Sequence, residues 1–203
     1  MLVFWQPKLV ILATPKTGTT AITAALESLA AVSISQPPAL KHTNVRAFHQ
    51  FLRPYLEAAS GGPFRVAALI REPRDWLGSW YRFRQSDSIT APQESTADLS
   101  FDDFVHAYCA LPRPEFANVG SQAEFLDHGT GKRVDHLFRY EDMSTFVRFL
   151  EDKLDCEILL PHLKVSPPGS VELSAKSEDL LRQVLAKDFQ LYRSLQPNSA
   201  AQR

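Results

Sequence analysis

Two hydrophobic patterns alternate along this chain. Continuous apolar runs, typical of strands buried on both faces, predict strands over residues 8–14, 64–70 and 134–139. Apolar residues three or four positions apart are typical of amphipathic helices. They predict helices over residues 19–31, 45–59, 73–85, 101–110, 121–126, 143–154 and 174–195. Strands that alternate with helices indicate a three-layer α/β/α fold with a mostly parallel sheet.

The length and charge of the chain narrow the classes of function. A chain of 203 residues fits a single domain, 1–203, of which we expect residues 196–203 to be a frayed tail. Its 22 basic and 23 acidic residues give a net charge of −1, whereas nucleic-acid binders usually carry a basic excess. No apolar run approaches the ~20 residues that cross a bilayer, and the first eight residues lack a signal-peptide pattern. We therefore expect a cytoplasmic protein without a membrane span or a nucleic-acid partner. Cys109 and Cys156 are expected to be reduced, buried thiols, and the oligomeric state stays open.

The junction between the first strand and the first helix is a candidate anion site. Residues 14–20 read TPKTGTT. Gly18 lets the backbone approach a ligand, and the free amides of the first helical turn can bind an anion. Lys16 adds a positive charge, and the threonine hydroxyls add donors. On these residues alone, a simple helix cap beside a solvated lysine is an open alternative.

The spacing of this loop differs from that of a nucleotide-kinase P-loop. The P-loop requires G-x-x-x-x-G-K-[ST], with lysine after the final glycine. Here Lys16 precedes Gly18 by two positions, so the loop suits a phosphate-like group better than a magnesium triphosphate. A second Gly-Lys pair, at residues 131–132, has Leu126 in place of the required first glycine and is predicted to be a turn.

A second anion site is predicted where the second strand ends. Arg71 directly follows that strand, and its guanidinium fork can bind a phosphate with two hydrogen bonds. Ser79 lies in the next helix and offers a hydroxyl. A structural ion pair of Arg71 with Glu72 or Asp75 is the alternative.

Taken together, these segments resemble the sulfotransferases that depend on 3′-phosphoadenosine 5′-phosphosulfate (PAPS). Four segments match in the family's order: the 5′-phosphosulfate loop at residues 15–20, the arginine and serine eight positions apart at Arg71 and Ser79, RYEDM at residues 139–143, and KDFQLY at residues 187–192. The resemblance implies a fold related to P-loop nucleotide kinases, with PAPS lying across both loops.

The resemblance also implies a role for each matching residue. The residues that would hold the phosphosulfate are Lys16, Thr17, Gly18, Thr19 and Thr20. Arg71 and Ser79 would hold the 3′-phosphate, and Tyr140 lies either near the adenine or in the core.

The chain departs from the family's pattern in two places. The cytosolic branch carries an R-K-G element near its end that also binds the 3′-phosphate. This chain has none there, and Lys164 or Ser166 are the substitutes we consider. The same branch has a tryptophan after the first loop for adenine stacking, where this chain has Ala21.

The proposed chemistry needs a cation and a base. Lys16 would stabilise the charge on the leaving phosphate, and cationic side chains do the work of a metal, so none is predicted. His42 is the candidate base, although the family's K-x-H segment becomes an adjacent Lys41 and His42 here. Glu72 and Glu94 are outside candidates.

The acceptor is expected to be a small molecule or a carbohydrate. A mobile loop over residues 86–98 and four aromatic side chains either line its pocket or belong in part to the core. These aromatic residues are Trp76, Trp80, Tyr81 and Phe83. Two other functions remain open: a P-loop-type small-molecule or nucleotide kinase, and a non-catalytic nucleotide-binding module.

Overall fold

The computed structural model of the chain describes residues 1–86, 89, 91–127, 134–161 and 171–195. Its strands are β1 Leu2–Phe4, β2 Leu9–Ile11, β3 Val32–Ser33, β4 Arg65–Ile70 and β5 His136–Arg139. Its α-helices are α1 Thr19–Leu26, α2 Pro38–Lys41, α3 Val45–Ala47, α4 Arg53–Ser60, α5 Pro73–Arg84, α6 Phe101–Cys109, α7 Gln122–Phe125, α8 Met143–Leu154, α9 Ala175–Val184 and α10 Ala186–Ser194. A π-helical turn, Phe48–Leu52, joins α3 to α4, and short 3₁₀ turns cover Pro92–Glu94, Glu115–Ala117 and Tyr140–Asp142.

The five strands form one mixed sheet in the order β3-β1-β2-β4-β5. The three predicted strands are present as β2, β4 and β5, and they are parallel to one another. β1 runs antiparallel to both β2 and β3, so the sheet is mixed rather than mostly parallel. β1 was not predicted because its apolar run, residues 1–5, was considered only as a possible signal segment, and β3 was not predicted because its two residues are exposed.

Helices cover both faces of the sheet, as predicted for an α/β fold. Alternate residues of a strand point to opposite faces. The face that carries Val10 and Val66 packs against α3, α4 and α10. The opposite face, with Ile11 and Ala67, packs against α1 and α8. β2 is the middle strand of the sheet and all of its residues are buried, so it lies at the centre of the core.

A third apolar cluster contains no strand residue and joins α5, α6, α9 and α10. It holds Tyr81 of α5 against Phe104 of α6, with ring centroids 5.7 Å apart and both side chains buried. α6 begins with a reciprocal capping box formed by Ser100 and Asp103. This cluster fixes α5, the helix that follows Arg71.

Several predicted boundaries differ from the structure. α1 ends at Leu26 rather than at residue 31, and the helix predicted over 174–195 is two helices that meet at Leu185. The described part of the loop over 86–98 is anchored, because Thr96 is fully buried and its hydroxyl donates to Tyr81 O. Cys109 and Cys156 are free thiols, but each is half-buried rather than buried.

Within the described residues, we find no helix with the length and apolar character needed to span a bilayer.

Candidate functional site

The first loop, residues 14–20, runs from the end of β2 into the first turn of α1. Lys16 and Gly18 both have left-handed backbone angles, with φ of 64° and 73°. The Thr17 side chain turns inward, where its hydroxyl donates to Thr14 O at 2.8 Å. The backbone hydrogen bonds of α1 begin at residues 21 and 22, whose amides both bind Gly18 O. The amides of the preceding residues therefore lie at the open, positive end of the helix.

The Thr17 hydroxyl is thus used inside the loop. Thr17 was expected to donate hydrogen bonds to a ligand from its hydroxyl and its backbone amide. Because the hydroxyl proton is used inside the loop, only the backbone amide can donate to a ligand. Thr19 and Thr20 are the first two residues of α1, and both are half-buried.

The ammonium group of Lys16 lies against two aromatic rings of α5. Its Nζ is 4.0 Å from the centroid of the Phe83 ring and 5.3 Å from that of Trp80. Trp76, one turn earlier, donates its indole N–H to Pro15 O at 3.1 Å. α5 therefore fixes both the backbone before Lys16 and the position of its charge.

Arg71 lies directly against this loop. Its Nη1 is 3.4 Å from Lys16 O, and its guanidinium lies over the Tyr140 ring, 4.7 Å from the centroid. The Tyr140 ring also borders Gly18, because a Cβ atom built on that glycine would come within 3.2 Å of the ring. The strand ends of β2 and β4 thus bring Lys16, Gly18 and Arg71 to one place.

The backbone of Arg71 is held by a residue that the sequence analysis did not select. The side-chain amide of Gln122 accepts from Arg71 N and donates to Arg71 O, both at 2.8 Å. Asp188 of α10 in turn accepts from Gln122 N at 2.8 Å and from the Ser121 hydroxyl at 3.0 Å. Burial raises the pKa of Asp188. The KDFQLY segment therefore supports the Arg71 strand end through α7.

Ser79 lies in the middle of α5, two turns after Arg71, and is buried. No hydrogen bond joins its hydroxyl to another described residue. The hydroxyl is therefore not committed to the helix backbone, which leaves it available for a ligand.

His42 ends α2 and lies over the end of β2. Its Nδ1 is 2.6 Å from Ala13 O, so Nδ1 carries the proton and donates, which leaves Nε2 as the free acceptor. Burial lowers the pKa of His42, and the positive charges of Lys41 and Lys16 lower it further. The imidazole is therefore neutral at pH 7 and able to take a proton.

The two glutamates considered as alternative bases have structural partners. Glu72 is the N-cap of α5, with Oε2 accepting from Asp75 N at 2.9 Å, and burial raises its pKa. Glu94 forms an ion pair with Arg84. Both carboxylates are thus engaged in holding α5 and the segment that follows it.

A cavity of about 210 Å³ opens beside the first loop. Thr14 and Pro15 form one wall, Trp76 and Phe125 are apolar neighbours, and Glu124 contributes a carboxylate. The Thr14 hydroxyl is fully buried and has no hydrogen-bond partner among the described residues. Such an unsatisfied group in a cavity wall marks a place for a polar ligand atom or water.

The four aromatic residues of α5 divide between the core and the site. Trp76 and Tyr81 are buried in the third apolar cluster, and Trp76 also lines the cavity. Trp80 and Phe83 border the Lys16 ammonium, and Trp80 also packs against the cluster.

Some residues that the sequence analysis singled out lie outside the part of the chain that the structure describes. They are Lys164, Ser166, the Gly-Lys pair at 131–132 and the tail over 196–203.

No protein-family model matches this chain, and no curated protein sequence matches it significantly. Its function is therefore inferred from the two loops and their surroundings.

Proposed function

We propose that this chain is a PAPS-dependent sulfotransferase, with a fold related to P-loop nucleotide kinases. The observation that carries the proposal is the contact of Arg71 with the loop of Lys16 and Gly18. PAPS carries one anionic group on the 5′ side of its ribose and another on the 3′ side, so it needs two anion-binding sites in one groove. A helix N-terminus with a lysine and an arginine at the next strand end meets that need.

The donor contacts follow from the positions of these groups. The amides at residues 16–20 and the Lys16 ammonium bind the phosphosulfate, and Arg71 and Ser79 bind the 3′-phosphate. Tyr140 stacks on the Arg71 guanidinium, and it thereby holds the plane of the fork. These fixed cations neutralise the charge that magnesium neutralises in kinases.

The reaction is an in-line transfer. The acceptor hydroxyl or amine attacks sulfur, a new bond to sulfur forms, and the bond between sulfur and the bridging phosphate oxygen breaks. The electron pair of that bond stays on the phosphate, where Lys16 and the loop amides stabilise the charge. The acceptor proton passes to Nε2 of His42, which is neutral because its pKa is lowered.

The cavity beside Thr14 and Pro15 is the proposed acceptor site. It adjoins the residues that lead into Lys16, and Asn44 of its wall lies two positions after His42. A cavity of about 210 Å³ fits a small molecule or one sugar ring better than a long polymer segment. The Glu124 carboxylate favours neutral or cationic acceptors that donate hydrogen bonds.

Thermal unfolding with two nucleotides tests the donor class. We expect adenosine 3′,5′-bisphosphate to raise the unfolding temperature without metal, and Arg71→Ala to abolish the rise. Arg46, an exposed arginine of α3, provides the control variant Arg46→Ala, which should behave like the wild type. An equal or greater rise with magnesium ATP would support a kinase instead.

Transfer of ³⁵S-sulfate from labelled PAPS to pooled phenols and simple sugars tests catalysis. We expect labelled products with the wild type, and a rate about 10²–10³-fold lower with Lys16→Ala. Binding of the bisphosphate without any labelled product would support the non-catalytic module.

A further inference from the structure

A second arginine lies on the same face of α5 as Ser79. Residues three or four apart share one face of a helix, which places Gly78, Ser79 and Arg82 together. Long side chains on a helix lean toward its N-terminus. Since Gly78 has no side chain, Arg82 extends across it, and Arg82 Nη1 lies 3.5 Å from the position that a Gly78 Cβ would occupy.

This direction brings Arg82 toward Arg71. Burial is the main cause that lowers the pKa of Arg82, and the positive charge of Arg71 lowers it further. The negative charge of Asp75 raises the pKa by a smaller amount. Arginine stays protonated at neutral pH, so two like charges face the same region at the start of α5.

The other two arginines of α5 are paired with carboxylates. Arg74 Nη1 is 2.9 Å from Glu178 Oε2, and Arg84 is paired with Glu94. By contrast, no described carboxylate lies within 4.0 Å of the guanidinium of Arg71 or of Arg82. Two half-buried cations that repel each other are stabilised by an anion that binds both.

We propose that Arg82 is a second guanidinium for the 3′-phosphate, which it binds together with Arg71 and Ser79. The inference rests on the proposed function, and it names the group that takes the place of the R-K-G element missing from the sequence. A phosphate monoester carries nearly two negative charges at neutral pH, which two arginines neutralise.

Calorimetric titration with two adenosine nucleotides tests this role. Adenosine 3′,5′-bisphosphate has the 3′-phosphate, and adenosine 5′-phosphate lacks it. We expect Arg82→Gln to weaken binding of the bisphosphate about 10- to 100-fold, as for loss of charged hydrogen bonds, without changing binding of the monophosphate. Arg46→Gln removes the same charge from an exposed position and should leave both affinities unchanged.

The outcomes separate this inference from the proposed function. If the wild type binds the bisphosphate and Arg82→Gln binds it equally well, the inference is overturned and the proposed function stands. An equal loss for both nucleotides also overturns it, because the role is then not specific to the 3′-phosphate. If the wild type does not bind the bisphosphate, the proposed function fails as well.

The unfolding temperature shows whether Arg82→Gln folds correctly. If it does not, Arg82→Lys is the variant to use. Arg82→Lys keeps the charge and most of the packing but loses the fork. We expect it to lose part of the affinity for the bisphosphate only, and an unchanged affinity counts against the inference.

Discussion

Gln122 holds the backbone of Arg71 from both sides. Its side-chain amide accepts from the Arg71 N–H and donates to the Arg71 carbonyl, both at 2.8 Å. Gln122 is itself buried, and its own N–H donates to Asp188 of α10. Hydrogen bonds therefore link α10 to the end of β4, where Arg71 is proposed to bind the 3′-phosphate.

Gln122→Ala should lower both stability and donor affinity. The substitution leaves the N–H and C=O of Arg71 without partners, which typically costs about 1–3 kcal/mol of the free energy of unfolding. It also frees the backbone that aims the Arg71 guanidinium, so the affinity for adenosine 3′,5′-bisphosphate should fall. Denaturant unfolding and titration measure the two effects. Gln183, exposed on α9, is the matched control, and a Gln122→Ala protein as stable as Gln183→Ala would contradict the account.

Gly18 and Gly61 provide a matched pair of left-handed glycines. Their φ angles are 73° and 67°, so alanine at either position costs about 1–2 kcal/mol of backbone strain. Only at Gly18 would the new Cβ also approach Tyr140, at 3.2 Å, while at Gly61 it meets nothing within 4 Å. We expect both variants to lose stability, but only Gly18→Ala to lose affinity for the bisphosphate, by about tenfold or more. Equal affinities in the two variants would show that the Gly18 turn does not face the donor.

The rate of sulfuryl transfer should depend on pH through His42. Because the pKa of His42 is lowered from its ordinary value of 6.5, more than half of the base is neutral at pH 6.5. The fall of kcat/KM on the acid side should therefore have its midpoint below pH 6.5. At a pH where the wild-type His42 is neutral, His42→Gln should reduce kcat/KM about 10²–10⁴-fold. An acid-side midpoint at or above pH 6.5 in the wild type, or a variant with the wild-type rate, would refute this role.

The same lowered pKa predicts how stability changes with pH. Between 6.5 and the lower pKa of the folded protein, the unfolded chain protonates His42 while the folded protein does not. The unfolded state then binds more protons, so acidification through this window lowers the free energy of unfolding. Denaturant unfolding at several pH values, compared with His42→Gln, isolates this contribution. We expect the variant to lack it, and an equal slope in both proteins would contradict the prediction.

The parts of the fold that the sequence predicts are those with long, regular patterns. The bounds of α8, Met143–Leu154, are as predicted, because its apolar stripe is uninterrupted and Asp142 caps its start. The break at Leu185 was not predicted, since no glycine or proline marks it. Leu185 is buried in the third apolar cluster, so packing rather than local sequence sets that break.

The residues of the candidate site also include some that the sequence predicts and one that it does not. Lys16, Gly18 and Arg71 were selected because their types and spacing carry a chemical meaning. Gln122 was missed because a glutamine in a helix has no distinguishing pattern. Its importance comes only from the fold, which brings α7 against the end of β4.

A crystal structure with adenosine 3′,5′-bisphosphate tests the central claim most directly. We predict the 5′-phosphate at the amides of residues 16–20, and the 3′-phosphate within hydrogen-bond distance of the Arg71 guanidinium and the Ser79 hydroxyl. A nucleotide bound elsewhere, or one whose 3′-phosphate points into solvent away from Arg71, would contradict the claim.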